Sequence, residues 1–133
     1  MKEQIFIATL LLTISTSLFS KQVYFIEPKD GQEVQSPVKI KFGLIGMGIA
    51  PAGVDVENTG HHHLLVDAES LPNLDLPIPS SKNHIHFGGG QTETTIFLTQ
   101  GVHSLQLLLG DKYHIPHKPA LFSTKIQIKV IEP

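Results

Sequence analysis

The chain has 133 residues, 41% of them hydrophobic and 17% charged, which fits one small globular domain and excludes a multidomain enzyme. Ten lysines, no arginine and twelve acids leave a net charge of -2, so no basic surface exists to neutralise a run of phosphates, and nucleic acid is not an expected partner. The lack of cysteine removes disulfides, thiolate metal sites, iron–sulfur clusters and cysteine nucleophiles together, leaving nitrogen and oxygen as metal donors.

The first segment reads as an address. Met1–Glu3 carries one lysine, Ile5–Leu12 is an almost unbroken apolar run, and Ser15, Ser17 and Ser20 offer small residues to a signal peptidase. Residues 1–20 are therefore expected to form a secretory signal peptide, with cleavage after Ser17 or Ser20 both open, and 21–133 the mature domain. The apolar run is shorter than the roughly 20 residues a membrane-spanning helix needs, and no cysteine follows it for lipid attachment. The mature protein is expected to be soluble, without a membrane span, and periplasmic or secreted.

The remaining chain alternates between short strands and turns. Val23–Ile26 opens it, and Val38–Leu44 follows with strict alternation of apolar and polar residues, the pattern of a strand with one buried face. His62–Val66, His84–Phe87, Thr94–Leu98, Val102–Leu109 and Thr124–Val130 complete about seven strands, each bounded by Gly, Pro, Asn or Asp. Nine prolines and eleven glycines interrupt the chain too often for long helices. An all-β fold follows: a single small β-sandwich of immunoglobulin-like size, with two long loops at Gly46–Gly60 and Ala68–Asn83.

Eight histidines are the abnormal figure in this composition, and most fall into three islands: His61-His62-His63, His84-Ile85-His86 and His114-Ile115-Pro116-His117. Residues two apart in a strand project from one face, so His61 with His63, and His84 with His86, are each a ready chelate. His62 shares the opposite face with Leu64 and Val66 and is expected to be a core histidine with a satisfied hydrogen bond. His103 shares its face with Leu105, Leu107 and Leu109 and is balanced between core and ligand. Imidazole suits copper and zinc, with Asp67 and Asp111 as the nearest oxygen ligands or acceptors for the rings.

Other motifs carry less. Gly88-Gly89-Gly90 lacks the Gly-Lys-Ser/Thr of a phosphate loop and is expected to be a hairpin turn. Ser80, Ser81 and Ser104 coexist with histidines and acids, but no nucleophile elbow selects one, and no set of catalytic residues is expected.

Several stretches together resemble the DUF4399 family of exported bacterial proteins. They are Val23-Tyr24-Phe25-Ile26-Glu27-Pro28-Lys29-Asp30-Gly31, Val38–Leu44 with Gly46-Met47-Gly48, Ala50-Pro51-Ala52-Gly53, and Asn58-Thr59-Gly60-His61-His62-His63-Leu64-Leu65-Val66-Asp67. His84-Ile85-His86-Phe87-Gly88, Gly90-Gln91-Thr92-Glu93, Leu107–Asp111 and His114–His117 extend the match over nearly all of the mature chain. The resemblance implies a secreted β-rich domain of unknown function. The chain departs from the family pattern at Lys112, where a further histidine often stands, so a site needing that ligand is not implied.

The sequence thus supports an exported β-sandwich that binds a transition metal, copper or zinc, for binding, delivery or sequestration. The candidate ligands are His61, His63, His84, His86, His114 and His117. The rival reading is a metal-free interaction module of the cell envelope, its histidines forming a structural network beneath a surface for a protein or glycan.

Overall fold

The computed structural model describes residues 20–133; the expected signal peptide, apart from Ser20, lies outside them. The described residues form an all-β sandwich of nine strands: β1 (Gln22–Glu27), β2 (Glu33–Gln35), β3 (Val38–Ile45), β4 (Gly48–Ile49), β5 (Thr59–Val66), β6 (His84–His86), β7 (Glu93–Ile96), β8 (Gly101–Gly110) and β9 (Ile126–Ile131). One sheet runs β1-β3-β7; the other runs β2-β9-β8-β5-β4, with β6 also paired to β5. No described helix is long and apolar enough to cross a membrane.

Alternation decides which faces meet. Val38, Ile40 and Phe42 of β3 point inward with Val23 and Phe25 of β1, against Leu64 and Val66 of β5, Leu105, Leu107 and Leu109 of β8, and Ile126, Ile128 and Val130 of β9. Lys39, Gln127 and Lys129 take the alternate, wet positions. Burying such a set is the main source of stability, at about 25 cal/mol per Å² of apolar surface.

β5 departs from this one-sided pattern, since every residue from Gly60 to Val66 is buried. It lies between β8 on one side and β4 and β6 on the other, and its outer face is roofed by the loop that follows it. Leu65 and Leu108 on that outer face pack with Ile78, Ala68, Leu71 and Leu74 in a second, smaller core. The long 67–83 connection is therefore packed down by its own apolar residues.

The structure corrects the expected seven strands to nine. β2 and β4 are too short for periodicity to register; β2 pairs parallel with β9 through Glu33 opposite Lys129, and β4 lies within the expected Gly46–Gly60 loop, parallel to the start of β5. The glycine triplet is a turn, closed by Gly90 N–H donating to the Phe87 carbonyl at 3.1 Å. It is not a hairpin, because β6 and β7 belong to different sheets and the turn carries the chain from one layer to the other.

Candidate metal centre

Register brings the histidines together. In the β5–β6 pairing His63 stands opposite His86 and Leu65 opposite His84, while in the β5–β8 pairing His61 stands opposite Gly110. Directly paired residues share a face. His61, His63 and His86 thus project from the outer face of the large sheet, at the end where β8 runs into the 111–117 loop, and that loop supplies His114. The ligand-capable atoms of His61, His63, His86 and His114 all lie within 4.8 Å of one another.

His114 is held where it is by backbone geometry. Its φ of 65° is a left-handed conformation that costs a non-glycine residue on the order of 1 kcal/mol. Asp111 braces it: its Oδ1 accepts from the N–H groups of Tyr113 at 2.8 Å and Ile115 at 3.0 Å, and its carbonyl accepts from His114 N–H at 2.9 Å. The His114 carbonyl accepts from Ile78 N–H at 2.8 Å, which ties this loop to the 67–83 roof.

Two glycines leave room for the rings. A Cβ on Gly110 would stand 2.7 Å from His63 Cε1, and one on Gly88 would stand 2.3 Å from His86 Cε1. Any side chain at either position collides with a ring of the cluster.

Within the group His61 Nε2 lies 3.1 Å from both His114 Nδ1 and His86 Nε2. A ring nitrogen offers one lone pair or one N–H in its plane, so it serves one linear hydrogen bond at a time. Two such contacts on one nitrogen are more than hydrogen bonding accounts for, whereas an ion at their centre takes a lone pair from each ring. Regular tetrahedral sites with metal–nitrogen distances of about 2.0–2.1 Å have nitrogens about 3.3 Å apart, and tetragonal sites mix shorter and longer separations. The two 3.1 Å separations at His61 Nε2 lie in this range.

The electrostatics keep the lone pairs of His61, His63 and His86 free. Burial and the mutual repulsion of neighbouring imidazoles push His61 down to about 4 and His63 to about 3, from 6.5. His86 is lowered as well, by burial and by His114. Neutral imidazole is the metal-binding form, so His61, His63 and His86 need no deprotonation near neutral pH.

Two of the six candidate residues stand outside the group. His84 shares the sheet face with His86 but lies two residues further along β6, about 7 Å away by strand rise, and its Nδ1 pairs with Ser81 Oγ at 3.0 Å. His117 Nε2 donates to the Thr59 carbonyl at 3.0 Å, and its Cε1 crowds the Gly60 backbone.

The remaining histidines take other roles. His62 is fully buried in the main core with its ring centroid 5.0 Å from that of Phe42, as its position on β5 predicts. The satisfied hydrogen bond expected of it is missing, since both ring nitrogens are buried without a partner, and burial followed by the His61 charge pushes it to about 4. His103 is bound at both ends, Nδ1 to Asp67 Oδ2 and Nε2 to the Thr99 carbonyl, each at 2.7 Å. Asp67 and Asp111 orient backbone and side-chain donors and do not belong to the ligand group. Gly88 and Gly110 were not legible as part of a site; the only hint is that each sits within four residues of a candidate histidine.

Fold and geometry together define a β-sandwich whose outer sheet face carries a four-imidazole cluster able to hold a metal ion. The chain belongs to the family described as Domain of unknown function (DUF4399), which matches residues 40–131. No curated protein matches it. Among solved structures it is similar to the endo-beta-1,4-mannanase from Thermotoga petrophila, at 19% identity and a TM-score of 0.49, over 86% of this chain and 20% of that one. The chain thus spans about a fifth of the length of that enzyme.

Proposed function

We propose that this protein is an exported β-sandwich domain that binds one transition-metal ion, copper or zinc, through His61, His63, His86 and His114, and serves in metal binding, delivery or sequestration. The observation that carries the reading is the convergence of four imidazoles from three separate segments, with ligand-capable atoms within 4.8 Å. Three further features support it: two glycines whose missing side chains leave space for the rings, a strained backbone at His114, and rings kept neutral. Export rests on the apolar leader and its small-residue cleavage region, and an oxidising compartment is compatible with a chain that has no cysteine to protect.

The test is metal content by mass spectrometry on untagged protein recovered after export, beside a His61→Ala/His63→Ala double variant. One copper or zinc per chain, absent from the variant, is the expected result. Protein without metal that also fails to take up copper or zinc at pH 7.5 would overturn the reading and leave a structural histidine network beneath an envelope-facing surface. Detection of the chain only in the cytoplasm, with residues 1–20 uncleaved, would overturn export separately.

A further inference from the structure

The cluster is asymmetric between floor and rim. His61 and His63 are 0% and 1% exposed and come from the buried central strand, whereas His86 is exposed and His114 half-buried. An ion held by all four would be shielded on the β5 side and face solvent on the side of the His86 and His114 rings. Gly88, beside His86, presents no side chain that covers this approach.

Charge points the same way. Among the described residues the ligand group contains no carboxylate, so a divalent ion there keeps its full double charge on four neutral donors. Asp111 acts electrostatically on His61 from outside the ligand group, with its Oδ1 held by two backbone N–H groups. Asp55 and Asp75, near in space to the 111–118 segment, are paired with Lys112 at 2.7 Å and Lys118 at 2.9 Å. A partly dehydrated dication with no carboxylate among its ligands, and with one side open to water, favours a negatively charged donor from solution.

We infer that the metal-loaded centre takes a small monovalent anion as an exogenous ligand on its His86 and His114 side, which makes it a ligand-receiving centre and not a closed storage site. This rests on the metal-binding reading above. The anion donates an electron pair to the ion and either displaces a bound water or raises the coordination number from four to five, with no change of oxidation state. A small carboxylate, formate or acetate, belongs to the same class.

The experiment uses the full-length untagged chain loaded with one equivalent of copper(II), the stoichiometry checked by mass spectrometry, and titrated with sodium azide at constant ionic strength set by perchlorate. The expected result is a new azide-to-copper charge-transfer band that saturates at one azide per copper, with copper still bound after desalting and the band displaced by excess formate. Copper bound one per chain with a spectrum indifferent to azide overturns the inference and leaves the metal site standing. Azide that strips the copper from the protein likewise overturns it. Failure to bind copper or zinc at all removes both the inference and the reading beneath it.

Discussion

The two histidine sites on the large sheet are built from the same side chain and respond in opposite ways to a proton. At one end of β8, His103 meets two acceptors, the Asp67 carboxylate and the Thr99 carbonyl, each at 2.7 Å. Both ring nitrogens can be satisfied together only as imidazolium. Burial alone would lower its pKa, but those hydrogen bonds and the Asp67 charge prevail and raise it. At the other end, beyond Gly110, His61, His63, His86 and His114 meet chiefly one another, and burial with mutual repulsion drives protons off His61, His63 and His86. Surroundings, not residue type, separate a proton clamp from a set of free lone pairs, and only the second is suited to a metal.

Acid is the strongest lever on this contrast. His61, His62 and His63 have folded pKa values of about 4, 4 and 3, below the 6.5 of an unfolded histidine. The unfolded chain therefore binds more protons between those limits. Stability is complete above about pH 6.5 and falls as the pH drops through 4, by about 1.4 kcal/mol per pH unit for each histidine forced to stay neutral. Urea unfolding of the metal-free protein from pH 7.5 to 4.5 should show a steep loss; a flat profile would mean that the rings are not buried and crowded as described.

Next in size are the two ring-accommodating glycines, which distinguish floor from rim. Gly110→Ala forces a methyl group against buried His63 and should cost about 1–3 kcal/mol of stability as well as metal affinity. Gly88→Ala meets exposed His86, whose ring can swing into solvent, so it should weaken metal binding with little loss of stability. Thermal melts and metal titrations of both variants check this, and equal stability losses would erase the distinction between floor and rim.

His62 offers a gain of about 1–2 kcal/mol. Replacing this buried, unpartnered ring by leucine in His62→Leu removes two unsatisfied nitrogens from the core beside Phe42, with metal affinity unchanged. A destabilised variant in chemical denaturation would mean that the ring has a partner after all.

The smallest effect belongs to the clamp. Its raised pKa means that it contributes fully below about pH 6.5 and fades as the pH rises through its folded value. Asp67→Asn should therefore cost on the order of 1 kcal/mol at pH 6, since Asp67 is half-exposed, and less at pH 9. A pH-independent loss would show that the Ser104 N–H bond to Asp67 Oδ1, and not the ion pair, is what matters.

Much of this fold is legible in the residues themselves. The alternation of Val38–Leu44 and Thr124–Val130 places the corresponding strands to within two residues at either end, and the opposition of His62 to His61 and His63 across β5 follows from period two alone. Register is a different matter. His84-Ile85-His86 looks like a symmetric chelate, but pairing with β5 aligns His86 with His63 and leaves His84 opposite Leu65, a relation fixed by contacts between strands some 20 residues apart. His114 depends on a left-handed backbone braced by Asp111, and the His114-Ile115-Pro116-His117 spacing does not reveal which of its two histidines turns inward. The roles of Gly88 and Gly110 were hidden because an absent side chain has meaning only once its neighbours are in place.

The most direct test of a four-histidine centre sets His84→Ala beside His86→Ala, two variants that the sequence alone treats as equivalent. Calorimetric titration of untagged protein with copper and with zinc at pH 7.5 should give one ion per chain for the parent and for His84→Ala, and a loss of affinity of at least about a hundredfold for His86→Ala. Equal behaviour of the two variants, or no stoichiometric binding by the parent, would contradict the convergence of His61, His63, His86 and His114 on a metal.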